Sequence, residues 1–150
     1  MNDIIINVIG ADDLHKLAEL YVELTGEPSD LQAMTRLFDA IASNPSYFLL
    51  GARVGGVLVG SAMGIVCHKL SRDCRPFMIM ENFVVAASHR RMGVGAKLIR
   101  AVEDLAVEQN CCSINFTSSR RRPEAHVFYA TMGYELDAVQ GFRKQSPSQH

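Results

Sequence analysis

Hydrophobic and polar positions follow two different periods along the chain, and the changes between them predict a mixed α/β fold. Apolar and β-branched runs with a period of two predict strands, and apolar residues at helical spacing predict helices. The first four strands are predicted at Ile4–Ile9, Tyr47–Arg53, Val57–Cys67 and from near Phe77 to Val85. The second and third of these should form a hairpin, because Val54, Gly55 and Gly56 separate them.

Two helices are predicted between the first two strands. Asp12 should cap the first helix and Gly26 should end it in a left-handed conformation. Its inward face is predicted to consist of Leu14, Leu17, Ala18, Tyr21 and Leu24. The second helix should begin at a capping box, Ser29-x-x-Gln32, and end at Asn44-Pro45. Its apolar positions are Met34, Leu37, Phe38 and Ile41.

The second half of the chain alternates strands and helices. Residues 68–76 are a polar connection that is too rich in helix-breaking residues to hold a helix. A third helix should end near Asn110, a strand should cover Ser113–Thr117, and a fourth helix should begin at Pro123 and end at Gly133. Two closing strands, Tyr134–Leu136 and Val139–Lys144, and a loose tail from about residue 145 complete the predicted order β-α-α-β-β-β-α-β-α-β-β.

The stretch from Met78 to Arg100 predicts an anion site. A buried strand leads into a turn with Arg90, Arg91, Gly93 and Gly95, and a helix follows. The first turn of a helix has unpaired N–H groups and a partial positive charge, and the glycines leave room for a phosphate to approach them. The stretch is not a nucleotide P-loop, because no Lys-Ser or Lys-Thr follows the second glycine. It also lacks the third small residue of a dinucleotide fingerprint, since Leu98 stands there.

Composition limits the function classes. The 150 residues suffice for one domain, expected to span residues 1–150, and a net charge of -1 provides no basic field for nucleic acid. No apolar run approaches the ~18 residues of a membrane span, so we expect a soluble, cytoplasmic protein. Four cysteines without a Cys-x-x-Cys pair are expected to be reduced and mostly buried. His68 and His126 have no partner at metal-ligand spacing, so no metal is predicted.

Two segments resemble the GCN5-related N-acetyltransferase (GNAT) superfamily. Arg90-x-x-Gly93-x-Gly95, directly after Glu81–Val85, is similar to the family's acetyl-CoA pattern, Gln/Arg-x-x-Gly-x-Gly/Ala behind a strand that ends in Val. Ala125–Tyr134 is similar to its Ala-x-x-Phe-Tyr-x-x-x-Gly-Phe segment. The resemblance covers about residues 3–144 and implies a mixed sheet that splays open between the fourth and fifth strands. Many members have Asn where this chain has Arg122, so the pantetheine contact of that Asn does not carry over.

The resemblance also implies an activity, the transfer of acetyl from acetyl-CoA to a primary amine by direct attack in a ternary complex. Glu81 stands where spermidine/spermine acetyltransferases have their general base, and Tyr129 stands where the family has the acid that protonates the coenzyme A sulfur. The N–H of Val85 or of a neighbour would stabilise the oxyanion. The residues implied in cofactor binding are Val84, Val85, Arg90, Arg91, Met92, Gly93, Val94, Gly95, Ala96 and Phe128.

Alternatives stay open at this point. Glu81 is either a base or an exposed or ion-paired residue at a strand edge, and Tyr129 is either an acid or a core residue beside Phe128. Arg120, Arg121 and Arg122 either steer a ligand or are solvated. The rival function is a non-catalytic acyl-CoA-binding module. The acceptor is either a small molecule or a protein amine, and the oligomeric state is open, with a homodimer as one candidate.

Overall fold

Five strands form one mixed sheet in the part of the chain that the structure describes, residues 3–147 of a computed structural model. The strands are β1 (Ile4–Val8), β2 (Tyr47–Val54), β3 (Val57–Cys67), β4 (Phe77–Val85) and β5 (Ile114–Asn115). They lie in the order of the sequence. The first four are antiparallel to their neighbours, and β5 runs parallel to β4. The predicted α/β class and mixed sheet are confirmed.

Four helices accompany the sheet among the described residues. They are α1 (Leu14–Thr25), which follows a 3₁₀ turn at Ala11–Asp13, α2 (Leu31–Ser43), α3 (Val94–Glu108) and α4 (Pro123–Thr131). As predicted, Pro123 opens α4, and Gly26 and Gly133 follow their helices with φ of 81° and 93°. None of these helices is both long and apolar enough to cross a membrane.

The apolar stripe of α3 supplies much of the core. The helix packs across β1 to β4, and the shared side chains lie at helical spacing. Val94, Leu98, Ile99 and Val102 are each at most 1% exposed. From α1, which packs on β3 and β4, the buried side chains are Leu14, Leu17 and Leu20. Leu20, which the sequence analysis did not place on the inward face, is 1% exposed, whereas the predicted Leu24 is half-buried.

The predicted hairpin between β2 and β3 is confirmed. Val54 pairs with Val57, and the two residues between them, Gly55 and Gly56, have φ of 58° and 80°. Two consecutive left-handed residues match the twist of the strands that they join, and glycine adopts this conformation without steric cost.

Two predicted helix caps are wrong by one residue. Asp13, not Asp12, stands at the N-cap of α1, because a 3₁₀ turn precedes the helix. Asp30, not Ser29, caps α2, and its carboxylate accepts from the N–H of Ala33 at 3.0 Å. An N-cap side chain accepts a hydrogen bond from the second or third N–H of its helix, and the side chain of Asp30 reaches the third.

The end of the chain differs from the prediction. The residues divide into two compact units, the first ending at Phe116 and the second beginning at Thr117. In the second unit α4 is the regular element, and neither Tyr134–Leu136 nor Val139–Lys144 forms a strand. Their apolar side chains do not enter a core, since Val139 is 79% exposed and Phe142 is 92% exposed. Residues 145–147 have no regular structure, and the rest of the predicted tail lies outside the described residues. A single domain over residues 1–150 stays a prediction.

The cysteines are unpaired, as expected, but they are not mostly buried. All four thiols are free. Cys74 and Cys112 are exposed, and Cys67 and Cys111 are half-buried. Cys67 is the last residue of β3, and the other three lie in connections between elements, where side chains are partly in water.

One ion pair fastens β1, β2 and the start of α1 together. Arg53 in β2 donates from Nη2 to Oδ2 of Asp13 at 2.7 Å and from Nε to Oδ1 of Asn7 at 3.0 Å. Oδ2 of Asp13 also accepts from the N–H of Gly10 at 2.8 Å. The hydrogen bond from Arg53 lowers the pKa of Asp13 below its usual value.

Replacing Asp13 should therefore produce a pH-dependent loss of stability. A lowered pKa stabilises the fold above the unfolded pKa of about 3.9, and this stabilisation is lost as the pH falls through the folded value. Asp13→Asn should lower the free energy of unfolding by about 1 to 2 kcal/mol at pH 7 and by much less near pH 2. Urea unfolding at both values measures this. An equal loss in the exposed neighbour Asp12→Asn would contradict the assignment.

Candidate active site

The edge of β4 that faces β5 is open over most of its length. β5 pairs with β4 at Met78 and Ile79 alone, and no other described strand pairs with that edge from Met80 to Val85. An open strand edge presents N–H and C=O groups that an extended ligand with amide groups is able to pair with. The predicted splay between the fourth and fifth strands is thus present, and the candidate residues Glu81, Val84 and Val85 lie along it.

A β-bulge interrupts β4 within this open stretch. Ser61 of β3 pairs with Val84 and Met63 pairs with Glu81, so Ala62 stands opposite two residues, Asn82 and Phe83. Asn82 is left-handed, with φ of 54°. Bulges are frequent beside active sites, where the extra residue redirects a side chain. The sequence analysis missed the bulge, although an Asn inside an apolar strand was its signal, because Asn tolerates the left-handed region better than most residues.

Glu81 is the residue before the bulge, and it is exposed. An exposed carboxylate at a strand edge is one of the alternatives that the sequence analysis left open for Glu81. Helix α1 packs on the same strand. The geometry leaves Glu81 accessible to an incoming molecule.

Two hydrogen bonds hold the turn between β4 and α3, one to α1 and one to the end of β4. The N–H of Ala87 donates to Oε1 of Glu23 in α1 at 2.8 Å, and Nε of Arg90 donates to the carbonyl of Val85 at 3.1 Å. The side chain of Arg90 thus folds back onto the end of β4. Arg91 and Met92 are exposed at the tip of the turn, and Arg91 is left-handed with φ of 62°.

Gly93 stands at the N-cap of α3 and leaves the first turn of the helix accessible. Its φ is 87°, and a Cβ added there would meet no atom within 4 Å. The first bond of the helix runs from the N–H of Lys97 to the carbonyl of Gly93, so the N–H groups of residues 94–96 have no partner within the helix. Open space, unpaired N–H groups and the positive end of the helix suit a pyrophosphate, so the residues present fit an acyl-CoA at this turn.

The second unit holds Phe128 and Tyr129 next to each other on α4. Tyr129 is 5% exposed, and its ring makes edge contacts with Phe128 and Tyr134 at centroid distances of 5.6 and 6.4 Å. Burial raises the pKa of the Tyr129 phenol, and the positive charge of Arg122 offsets part of that rise. Tyr129 is therefore neutral at physiological pH and carries a proton. Of the basic loop, Arg120 and Arg121 are exposed, and Arg122 acts on the pKa of Tyr129.

The sequence model of the Acetyltransferase (GNAT) family matches residues 14–134. The chain belongs to the GNAT acetyltransferase family. The match includes β4, the turn at Arg90–Gly95 and α4, which are the segments in which the sequence analysis found the resemblance. The family prediction and the GNAT fold are thus confirmed, and acetyltransferase activity is supported at the level of the family.

Solved structures of other GNAT proteins have the same fold. A protein of Agrobacterium tumefaciens described as an acetyltransferase is 26% identical, with a TM-score of 0.87 over 95% of this chain and 99% of that chain. Glucosamine-6-phosphate N-acetyltransferase from Arabidopsis thaliana is 20% identical, with a TM-score of 0.83 over 96% and 99%. An aminoglycoside N-acetyltransferase in complex with CoA is 21% identical, with a TM-score of 0.81 over 97% of both chains.

Proposed function

We propose that this GNAT protein transfers an acetyl group from acetyl-CoA to a primary amine in a ternary complex. The observation that carries the proposal is the open edge of β4, which leads directly into a turn with an accessible helix N-terminus. Acetyl-CoA supplies an activated acetyl thioester. The name of the aminoglycoside N-acetyltransferase, which was solved with CoA, supports this choice of donor and acceptor chemistry.

The β4–α3 turn holds the pyrophosphate in this proposal. The N–H groups from Met92 to Ala96 donate to it, and the exposed guanidinium of Arg91 adds charge. Arg90 has a structural role, because its Nε is bonded to Val85. The open edge at Val84 and Val85 would pair with the amide groups of the pantetheine arm. Contact of the cofactor with Phe128 stays a prediction from the sequence.

In this proposal Glu81 takes a proton from the amine, and Tyr129 gives a proton to the leaving thiolate. An amine with a pKa near 10 is almost fully protonated at neutral pH, so attack requires a base, and exposed Glu81 is able to take that proton directly or through a water molecule. Tyr129 keeps its proton because burial raises its pKa, and it donates that proton to the leaving thiolate. The N–H of Val85 or of a neighbour on the open edge is the proposed oxyanion donor.

A panel of amines tests the proposal. Release of free coenzyme A thiol from acetyl-CoA should require both the protein and an amine. Polyamines, amino sugars and lysine peptides in the panel separate a small-molecule acceptor from a protein acceptor. Binding of acetyl-CoA without thiol release by any amine would instead favour the non-catalytic acyl-CoA-binding module. A homodimer and a cytoplasmic location stay predictions from the sequence.

Replacing Gly93 should remove cofactor binding. A Val side chain at Gly93 would occupy the space that the pyrophosphate needs, so acetyl-CoA should no longer raise the melting temperature of Gly93→Val. Gly26→Val is the matched control, because Gly26 is also left-handed and also has no atom within 4 Å of an added Cβ. Both variants should lose stability through strain, and Gly26→Val alone should keep the shift. An undiminished shift in folded Gly93→Val would place the cofactor elsewhere.

Removing the charge of Glu81 should slow turnover. Glu81→Gln should lower kcat by about 10² at pH 7 with little change in acetyl-CoA affinity, because the base acts on the amine. The loss should shrink as the pH rises and more of the amine is unprotonated. Glu108→Gln, at the exposed end of α3, is the control and should be fully active. Parental activity of Glu81→Gln at pH 7 would exclude this residue as the base.

Removing the hydroxyl of Tyr129 distinguishes a general-acid role of this residue from a role in packing alone. Tyr129→Phe keeps the ring contacts, so the melting temperature should change little, whereas kcat should fall by about 10² to 10⁴ if the phenol donates the proton. Tyr134→Phe removes a hydroxyl from the same unit and should be fully active. A stable and fully active Tyr129→Phe would leave the thiolate to be protonated by water or by the amine.

A further inference from the structure

The carboxylate of Glu23 joins helix α1 to the β4–α3 turn, and the proposed mechanism gives this residue no role. Its Oε1 accepts from the backbone N–H of Ala87 at 2.8 Å. Glu23 lies in the last turn of α1, and Ala87 is the first residue of a 3₁₀ turn at Ala87–His89. The two residues are 64 positions apart in the chain. Their contact therefore fixes where the β4–α3 turn begins with respect to α1.

Glu23 supplies an acceptor that the 3₁₀ turn itself lacks. The first N–H groups of a helix have no partner within it, and the side chain of the preceding residue often accepts from one of them. Here that residue is Ala86, which makes no such bond. Ala86 is 8% exposed, and its own N–H is donated to the carbonyl of Val59 in β3 at 2.8 Å. Glu23 thus replaces, from a distant part of the chain, the missing N-cap side chain.

Beyond this contact the chain continues into the exposed tip of the β4–α3 turn. Arg91 and Gly93 are left-handed there, with φ of 62° and 87°. The N–H groups of residues 94–96, which have no partner within α3, follow directly. A ligand binds more tightly to a segment that the protein already holds in its bound conformation, because less conformational entropy is lost on binding. A contact that fixes the start of the turn should therefore raise the affinity for an anion at its end.

The negative charge of Glu23 does not explain such an effect. Within residues 3–147 its carboxylate forms no ion pair. A carboxylate on a turn that binds a pyrophosphate repels the ligand, so its charge opposes binding. The favourable contribution comes from its oxygen atom as a hydrogen-bond acceptor. Glutamine supplies the same kind of acceptor without the charge, so substitution separates the two effects.

We infer that Glu23 is a positioning residue, whose side chain holds the start of the β4–α3 turn and thereby raises the affinity of the first turn of α3 for an acyl-CoA. The inference rests on the proposed function, of which it uses only the binding of the cofactor at this turn. It does not depend on acetyl transfer, because binding of coenzyme A is measured without an amine.

Calorimetric titration with coenzyme A tests the inference in two variants of Glu23. In Glu23→Ala the N–H of Ala87 loses its acceptor, so the Kd should rise about five- to tenfold, the change expected for one hydrogen bond. In Glu23→Gln the Kd should stay close to the parental value, because an acceptor oxygen is retained. Both variants should fold, since the side chain is exposed and both new residues favour helices.

Glu19→Ala is the matched control. Glu19 is also an exposed glutamate of α1, one helical turn before Glu23, but its carboxylate lies 3.2 Å from Nζ of Lys16 and forms an ion pair within the helix. Its replacement removes the same charge and the same side-chain atoms without affecting the β4–α3 turn. The Kd of Glu19→Ala should equal that of the parent.

Removing the donor provides a second, independent test. Proline suits the first position of a helix, and Ala86 has ψ of 137°, within the range that a residue before proline favours. Ala87→Pro should therefore delete the N–H and leave the backbone in place. In this background Glu23→Ala should cause no further change in Kd, because the carboxylate has no donor left to hold.

The kinetic constants distinguish positioning from a purely structural role. With an amine that the parent acetylates, Glu23→Ala should raise KM for acetyl-CoA and leave kcat and KM for the amine unchanged. A residue that only stabilised the fold would lower the melting temperature without changing the Kd for coenzyme A.

Each outcome decides the inference. An unchanged Kd in Glu23→Ala would overturn it, and so would an equal rise in Glu23→Gln or in the Ala87→Pro background. Tighter binding by both Glu23 variants would also overturn it, because the carboxylate would then act only through its repulsive charge. If the parent does not bind coenzyme A, the inference fails together with the proposed function. If the parent binds coenzyme A but acetylates no amine, the proposed activity alone fails, and the Kd values decide the role of Glu23.

Discussion

A strand edge that loses its partner halfway along the strand leaves N–H and C=O groups that must bond to water or to another molecule. β4 has such an edge, since β5 pairs with it at Met78 and Ile79 alone. The other edge of β4 is paired with β3, and α1 and α3 both pack on the strand. The open edge is therefore held rigidly in place by its surroundings. A strand edge without a neighbouring strand is suited to binding an extended ligand, and the helix N-terminus beyond it is suited to binding an anion.

The fold explains how a small chain fixes this geometry. The buried stripe of α3 starts at Val94, the residue after Gly93, so the packing of the core also determines where the free N–H groups of the helix are located. Arg90 ties the turn to the end of β4, and Glu23 ties it to α1. The β4–α3 turn is thus anchored by the same contacts that stabilise the fold. Variants that change α3 or α1 are expected to affect both.

The sequence predicted the features that depend on local patterns. Gly55-Gly56 is typical of a two-residue hairpin turn. The alternating apolar residues of the first four strands indicate which face of each strand is buried. The turn at Gly93 was also found from sequence, because a left-handed N-cap and an accessible helix end need a residue without a side chain.

The remaining features depend on contacts that local patterns do not contain. Leu20 lies in the core and Leu24 is only half-buried, because the position of α1 over β3 and β4 decides which side of the helix is buried most deeply. The bulge at Asn82 lies in the pairing of β4 with β3, and the exposure of Glu81 depends on which elements pack over that face of the strand. The segments after Gly133 have strand-like patterns, but a strand also requires a paired neighbour, and none of the described residues pairs with them.

We propose that the open edge of β4 and the first turn of α3 form one binding site for an acyl-CoA. Backbone amide hydrogen exchange, measured with and without coenzyme A, tests it most directly because it reports on each N–H group. We expect coenzyme A to slow exchange at residues 83–85 on the strand edge and at residues 92–96 in the turn and helix. Slowed exchange confined to other parts of the chain, with these two segments unchanged at saturating coenzyme A, would contradict it.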